Sequence, residues 1–243
     1  MNLLRNIWAI YGILVFFLLW IVLMPFYLVA FLLFPKSWTK YIIWFSHHVY
    51  TRLFFTFTLI RFEIDGLENL DPKQTYVIVS NHLTTLDFMI NARAFPGVYK
   101  YLAKMELTKV PIFGFIVKKL CVLVDRHDKA SRSKSMADMQ EALTNGYSIF
   151  LYPEGTRNRS NDPLLPFHKG AFLMAIQSGH PIAVQTLVQV KHISGKAAGL
   201  DFWPGKVKVV WSKPISVEGM TIRDVKGLSE QVAGVMESAL KKN

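Results

Sequence analysis

Residues 76–88 read YVIVSNHLTTLDF, an apolar run that passes directly into polar side chains. The apolar part, Tyr76–Ser80, has the length and the β-branched content of a buried strand. A strand that opens into a polar loop is typical of α/β domains, which place reactive groups at the carboxyl ends of their strands. This stretch therefore predicts both a fold class and the position of a candidate site.

The remainder of the globular part alternates short apolar runs with segments of helical character. Helices are predicted over Ser131–Asn145 and Lys169–Gly179, and Thr221 with Asp224 has the spacing of a capping box that opens a C-terminal helical region. Further strands are predicted at Val122–Val124, Ser148–Tyr152, Ile182–Val190 and Val207–Trp211. Such an alternation predicts an α/β domain.

The N-terminal part differs sharply from this pattern. Residues 7–34 contain no charged side chain, and their number exceeds the roughly 20 residues that span a bilayer. Pro25 interrupts the segment, so two geometries stay open: one helix that crosses the membrane, or two helices that form a hairpin dipping into one leaflet. More Lys and Arg follow the segment than precede it, which predicts that the rest of the chain is cytoplasmic.

A second apolar segment, Ser37–Ile60, carries charged and polar side chains. This composition predicts an interfacial helix rather than a span. We interpret His47, His48 and Arg52 as anchors at the membrane surface, not as catalytic groups. The chain is accordingly divided into membrane-anchoring helices at residues 1–60 and an α/β domain at residues 61–243.

Composition narrows the range of functions. The 243 residues include 28 Lys and Arg against 17 Asp and Glu, which gives a net charge of +11. A basic domain beside a membrane suits anionic lipid headgroups or phosphorylated cofactors, and no nucleic-acid-binding motif is evident. Cys121 is the only cysteine, which excludes an intramolecular disulfide and a cysteine-based zinc site, and we predict no metal site. Its apolar surroundings predict a packing role.

The loop after Tyr76–Ser80 contains a candidate base. Histidine is the side-chain type that commonly serves as a base near neutral pH; His82 lies in this loop, and Asp87 follows five residues later. A helix that begins near Leu83 would bring the carboxylate to the imidazole, fix one tautomer and leave the other ring nitrogen as a base. A histidine that caps a helix fits the same spacing, so this motif alone leaves both interpretations open.

A second candidate site lies at residues 150–157, which read FLYPEGTR. Arg157 offers a planar set of donors that matches phosphate. Glu154 is a candidate acceptor for a substrate hydroxyl or a partner that holds Arg157, and a surface turn with a local ion pair is the alternative. Lys104 and Arg126 are further candidate anion contacts, although each taken singly is typical of a solvated surface charge.

Together these residues resemble the motifs of the glycerolipid acyltransferases, most closely those of bacterial 1-acylglycerol-3-phosphate acyltransferases, from about Ile64 to Trp211. The matching blocks are His-x-x-x-x-Asp at His82 and Asp87, Glu-Gly-Thr-Arg at Glu154, Gly155, Thr156 and Arg157, Lys-x-Glu…Pro-x-x-Gly at Lys104, Glu106, Pro111 and Gly114, followed by Asp125-Arg126, and Gly-x-Glu-Asn-Leu at Gly66, Glu68, Asn69 and Leu70. One block departs, because Pro181-Ile182-Ala183-Val184 keeps only the first proline of the family's Pro-Ile-Val-Pro. That block is associated with the acyl donor.

The resemblance implies a mixed sheet flanked by helices and a direct acyl transfer. His82, oriented by Asp87, would deprotonate the sn-2 hydroxyl of lysophosphatidic acid, which then attacks an acyl thioester. Glu154, Gly155, Thr156 and Arg157, with Lys104 and Arg126, would bind the acceptor. The resemblance implies no cofactor beyond the thioester co-substrate, either acyl-CoA or acyl carrier protein.

The partners expected are therefore a lysophospholipid, the thioester donor and the membrane, with no nucleic acid, and the expected location is the cytoplasmic face of a bacterial inner membrane. Two alternatives remain. The same chemistry on another lysophospholipid or on a lyso-ornithine lipid is the first. The second is a non-catalytic membrane lipid-binding protein, against which the intact His82 and Asp87 argue.

Overall fold

The protein is described here by a computed structural model, which defines residues 2–33, 38–110, 113–125, 127–194 and 202–242. The strands are β1 (Ile60–Asp65), β2 (Val77–Ser80), β3 (Tyr99–Lys104), β4 (Val122–Val124), β5 (Ser148–Leu151), β6 (Ile182–Leu187) and β7 (Gly205–Trp211). The α-helices are α1 (Asn2–Leu33), α2 (Thr39–Phe45), α3 (Thr51–Phe57), α4 (Asp87–Ala94), α5 (Phe113–Leu120), α6 (Lys129–Thr144), α7 (Gly170–Ser178) and α8 (Val225–Lys242). A π-helical turn, Ser46–Tyr50, joins α2 to α3.

One seven-stranded sheet forms the centre of the domain, in the order β1-β7-β6-β2-β5-β3-β4. The pairing of β6 with β7 is antiparallel, and the other pairings are parallel. The predicted mixed sheet is therefore confirmed. Because β6, β2, β5, β3 and β4 run in one direction, the loops that follow them meet at one edge, which we call the carboxyl edge.

Helices cover both faces of the sheet. On one face α6, α7 and α8 bury a core that includes Leu143, Phe172 and Met236. On the other face α4 packs with α3 and the first half of α1, around residues such as Phe55 and Ile90. The sheet is therefore covered on both faces, as expected for strands that carry nearly continuous apolar sequence.

Two strands were not predicted from the sequence. In β1 the burial changes from a buried Ile60 to an exposed Arg61, and β3 includes Lys100 and ends at Lys104. Both strands carry charged side chains, which conceal the apolar signal of a strand. The remaining predicted strands and helices form within a few residues of their predicted bounds.

The first apolar segment is a single helix, because α1 continues through Pro25. It is a helix whose length and apolar composition suffice to cross a membrane. Its contacts with the rest of the protein run from end to end: the Arg5 guanidinium donates to the His192 carbonyl at 3.2 Å, Phe16 packs edge-on to Phe54, and the ring of Phe31 contacts Phe115. Thus α1 lies along the domain and forms a helical hairpin with α2 and α3.

The interfacial role predicted for His47 is wrong. Its side chain is buried, and its ring contacts the Tyr99 ring at 4.3 Å between centroids. Burial lowers the pKa of His47 to about 3, so the imidazole is neutral. The prediction failed because the π-helical turn rotates His47 toward the sheet, whereas Trp44 and Tyr41 remain largely exposed.

Candidate active site

The candidate site forms where the polar segments after β2 and β5 meet at the carboxyl edge. Strands β2 and β5 are neighbours, with Val79 beside Leu151 in register, so their following loops lie side by side. A cavity of about 300 Å³ opens there. Its lining includes five of the predicted residues: His82, Lys104, Gly155, Thr156 and Arg157.

His82 and Asp87 are in direct contact. The Nδ1 atom of His82 lies 2.8 Å from Oδ2 of Asp87, and the histidine side chain is 22% exposed while the carboxylate is fully buried. A carboxylate on Nδ1 holds the proton there, which leaves Nε2 as the basic nitrogen. The helix begins at Asp87, four residues later than the start near Leu83 that the sequence suggested.

The loop before α4 fixes Asp87 with main-chain donors. Oδ2 also accepts the N–H groups of Leu83 and Thr84, at 2.6 and 2.9 Å. Oδ1 accepts the Thr84 hydroxyl at 2.8 Å. Because several donors converge on one buried carboxylate, Asp87 is held in one position. Sequence reasoning gave no role to Thr84, although a hydroxyl residue three positions before an acidic helix start was visible.

Glu154 is buried beneath the cavity, where its carboxylate holds the main chain together. One oxygen accepts the His82 N–H at 2.8 Å, and the other accepts the Leu165 N–H at 2.9 Å. Burial raises the pKa of Glu154, while these two hydrogen bonds act in the opposite direction. Both oxygens of Glu154 thus accept main-chain donors, which gives Glu154 a positioning role, while its predicted contact with the acceptor stays a prediction.

The turn after Glu154 requires glycine and presents Arg157 to the cavity. Gly155 has φ +67°, and a Cβ atom there would lie 2.7 Å from the ring of His168. One guanidinium nitrogen of Arg157 donates to the Thr85 hydroxyl at 2.6 Å. Arg157 is thus tied to the loop that carries His82, so the candidate base and the candidate anion ligand have a fixed relative position.

The other predicted anion contacts have different outcomes. Lys104 is the last residue of β3 and lines the cavity with His82 and Arg157. Arg126 lies outside the described residues.

A sequence model of the Acyltransferase family matches residues 61–187, just over half of the chain. The chain belongs to this family. The resemblance inferred from the motifs is therefore confirmed at the level of the family.

Curated relatives agree with this assignment. The 1-acyl-sn-glycerol-3-phosphate acyltransferase alpha of Mus musculus is 32% identical over 175 residues, which cover 71% of this chain and 61% of the mouse protein. The 1-acyl-sn-glycerol-3-phosphate acyltransferase of Saccharomyces cerevisiae is 30% identical over 182 residues, which cover 74% of this chain and 59% of the yeast protein. The matches thus span about 60% of the length of these relatives.

The fold is shared with a solved acyltransferase. The crystal structure of the 1-acyl-sn-glycerophosphate acyltransferase PlsC from Thermotoga maritima superposes with a TM-score of 0.80 and 22% identity, covering 98% of this chain and 97% of that one. The superposition includes the N-terminal helices, since nearly the whole chain is covered. At this identity the likeness establishes the fold.

Two further acyltransferase motif glycines have structural explanations. Gly66 has φ +75°, and a Cβ atom there would lie 2.0 Å from the Trp211 carbonyl oxygen. Asn69, in the same block, donates its amide to that carbonyl at 3.0 Å. A Cβ atom on Gly114 would meet the Thr108 carbonyl oxygen at 2.2 Å. Pro111, from the same block as Gly114, lies outside the described residues.

Cys121 does not belong to the cavity that holds His82. Burial raises the pKa of its thiol to about 11, so at neutral pH the nucleophilic thiolate is scarce. This protonation state fits the packing role that the sequence suggested.

Proposed function

We propose that this acyltransferase moves a fatty acyl group from a thioester to the free sn-2 hydroxyl of lysophosphatidic acid, producing phosphatidic acid for phospholipid biosynthesis. The observation that carries the proposal is the shared cavity of His82 and Arg157, with Asp87 bonded to the far side of the imidazole. A base and a phosphate ligand are the two groups that such an acceptor requires. The names of the curated relatives support the same acceptor.

His82 acts as the general base in this scheme. Its Nε2 removes the proton from the acceptor hydroxyl as the oxygen attacks the thioester carbonyl. The imidazolium that forms is stabilised by the Asp87 carboxylate at Nδ1. Collapse of the tetrahedral intermediate breaks the carbon–sulfur bond, and the imidazolium proton passes to the departing thiolate. The acyl group moves directly to the acceptor, so the protein forms no covalent intermediate.

Arg157 and Lys104 supply the positive charge for the acceptor phosphate. Both line the cavity with His82. Charge-assisted hydrogen bonds from a guanidinium to phosphate are stronger than neutral ones, and binding at a fixed distance from His82 places the hydroxyl for attack. Arg126, two residues after β4 in the sequence, remains a proposed third contact on sequence grounds alone.

The N-terminal hairpin is proposed to attach the enzyme to one leaflet rather than to cross the bilayer. The outward face of α1 carries large apolar side chains along its length, among them Ile7, Leu14, Leu18 and Leu32. Its opposite face packs on the domain from Arg5 to Phe31. A helix attached to the domain at both ends lies along the membrane surface, with its apolar face in the acyl chains. The proposed location is the cytoplasmic face of a bacterial inner membrane.

Labelling can distinguish these geometries. Leu3→Cys and Leu33→Cys place thiols at the two ends of α1, and native Cys121 provides a slow-reacting background because its thiol is protonated. In sealed proteoliposomes of one orientation, an impermeant maleimide should label both positions from the same side. Labelling of the two ends from opposite sides would establish a membrane span.

A headgroup panel tests the activity itself. The purified protein receives labelled acyl-CoA or acyl carrier protein, with lysophosphatidic acid, other lysophospholipids or a lyso-ornithine lipid as acceptor, and His82→Ala serves as the blank. Strong preference for lysophosphatidic acid is the expected result. Preference for another acceptor would assign the same chemistry to a different lipid. Absence of transfer from either donor to every acceptor would favour a lipid-binding protein.

A further inference from the structure

The imidazole of His82 is stacked on an aromatic ring that the proposed chemistry has not used. The rings of His82 and Tyr152 are 4.0 Å apart between centroids and inclined by 16°. Tyr152 immediately follows β5 and also lines the cavity. His82 is therefore held at its edge by Asp87 and on its face by Tyr152.

Tyr152 is itself held by a polar contact with α4. Its hydroxyl accepts the Asn91 amide at 2.7 Å, and the neighbouring Tyr101 makes a second contact with the same helix. The Tyr101 hydroxyl donates to the Phe88 carbonyl at 2.6 Å. Asn91 and Phe88 belong to α4, the helix that begins at Asp87. Helix α4 thus positions both the Tyr152 ring and the Asp87 carboxylate, and both of these groups contact the His82 imidazole.

The hydroxyl of Tyr152 is not a competing acid or base. Burial raises the pKa of Tyr152 well above its usual range, and the nearby Tyr101 and Asp87 act in the same direction. The residue therefore presents a neutral ring to His82. An aromatic face attracts a positively charged imidazolium more strongly than it attracts a neutral imidazole, because the π electrons of the face carry negative charge.

We propose that Tyr152 is a positioning residue whose ring holds the His82 imidazole in plane and stabilises its protonated form during acyl transfer. The inference rests on the proposed role of His82 as base. The ring contact would favour the imidazolium formed in the transition state over the neutral imidazole of the resting enzyme. Removal of the ring should therefore lower kcat more than it changes KM.

The pH dependence gives a readout that separates this role from simple packing. If the ring stabilises imidazolium, its loss makes protonation of His82 harder, so the acid limb of the rate profile moves to lower pH. The expected shift is about half to one pH unit. The charged groups around His82 stay the same in such a variant: Asp87 on α4, Glu154 and Arg157 after β5, and Lys104 at the end of β3.

The experiment compares Tyr152→Leu with Tyr152→Phe, and uses Tyr101→Phe as the matched control. Tyr152→Leu should lower kcat by roughly 3- to 30-fold with KM nearly unchanged, and should shift the acid limb. Tyr152→Phe retains the ring, so its acid limb should stay in place. Tyr101→Phe removes the neighbouring hydroxyl bond to Phe88 and leaves the Tyr152 ring in place, so it should lower the melting temperature without moving the acid limb. If the acid limb of the rate profile lay at the same pH in Tyr152→Leu and Tyr152→Phe, the proposal would be overturned.

A fluorinated series covers the case in which Tyr152→Leu does not fold. Phenylalanines with increasing ring fluorination at position 152 keep the shape of the ring while withdrawing its π electrons. A graded fall in kcat is expected, and a flat series would overturn the inference.

An NMR titration of the His82 imidazole across the same series separates a failure of the proposed acyl transfer from a failure of the role proposed for Tyr152. A graded titration without acyl transfer in the wild type would refute the proposed reaction alone, whereas transfer with a flat titration would refute the role of Tyr152 alone.

Discussion

Replacement of Glu154 by glutamine tests whether this motif residue binds substrate or supports His82. In the wild type each carboxylate oxygen accepts one main-chain N–H, from His82 at 2.8 Å and from Leu165 at 2.9 Å. A glutamine amide offers one acceptor and one donor, so one of the two N–H groups would face another N–H. The substitution removes a buried hydrogen bond to a charged group and leaves a donor without an acceptor.

The magnitude follows from those contacts. A hydrogen bond to a charged group contributes about 1.5–3 kcal/mol, and an unsatisfied buried donor costs about 1–3 kcal/mol. A total of about 2.5–6 kcal/mol corresponds to a melting temperature lower by roughly 5–24 °C for a domain of this size. Because a glutamine amide cannot accept both N–H groups, the contact that positions the His82 loop is weakened, and we also expect kcat to fall by about tenfold or more. The KM for lysophosphatidic acid should change by less than about twofold, since both carboxylate oxygens are already engaged by main-chain donors.

The assay combines thermal unfolding in detergent with initial rates at saturating and limiting acceptor. Glu218→Gln is the matched control, because Glu218 is an exposed residue remote from the carboxyl edge and the same exchange should leave both readouts unchanged. A KM for lysophosphatidic acid that rises about tenfold, with melting temperature and kcat unaltered, would refute the positioning role. It would restore Glu154 as a direct ligand of the glycerol.

Three further substitutions probe separate contacts. Asp87→Asn should lower kcat by roughly 100-fold or more in steady-state assays, because an amide cannot accept all the donors that converge on Asp87. Thr85→Val removes the acceptor of the Arg157 guanidinium and should raise the KM for lysophosphatidic acid about 3- to 10-fold while that for the acyl donor stays the same; equal changes in both would argue against Arg157 as the phosphate ligand. Cys121→Ala should keep kcat within about twofold, and the wild-type thiol should react slowly with thiol reagents at pH 8, because its pKa is about 11.

Sequence patterns predicted the fold where apolar runs were unbroken. The run at residues 76–80 and the run at 148–152 became β2 and β5, the strands that carry the candidate site. The pattern failed for β1 and β3, in which charged side chains interrupt the apolar ones. A sheet edge or a strand end tolerates such residues because one face reaches solvent, and periodicity alone does not distinguish that situation from a loop.

The chemistry of the site was predictable from residue types, but the role of each individual residue was not. The spacing of His82 and Asp87 indicated a base with its carboxylate, and the structure places these atoms in contact. The positioning role of Glu154 could not be predicted from the sequence, because its partners are main-chain N–H groups, which every residue but proline offers. Arg157 and Thr85 are 72 residues apart in the sequence. The parallel pairing of β2 with β5 brings them together.

The directions of β1 and β7 place the N-terminal hairpin beside the candidate site. Because β7 runs antiparallel to β6 and parallel to β1, the amino end of β1 lies at the carboxyl edge of the other strands. Helix α3 leads into that end at Ile60, and the first turns of α1 reach the same edge through the contact of Arg5 with His192. The apolar surface of the hairpin therefore extends to the edge that carries His82. A lipid acceptor in the leaflet beside α1 would then present its headgroup to the cavity without leaving the membrane, which a domain on a flexible tether could not arrange.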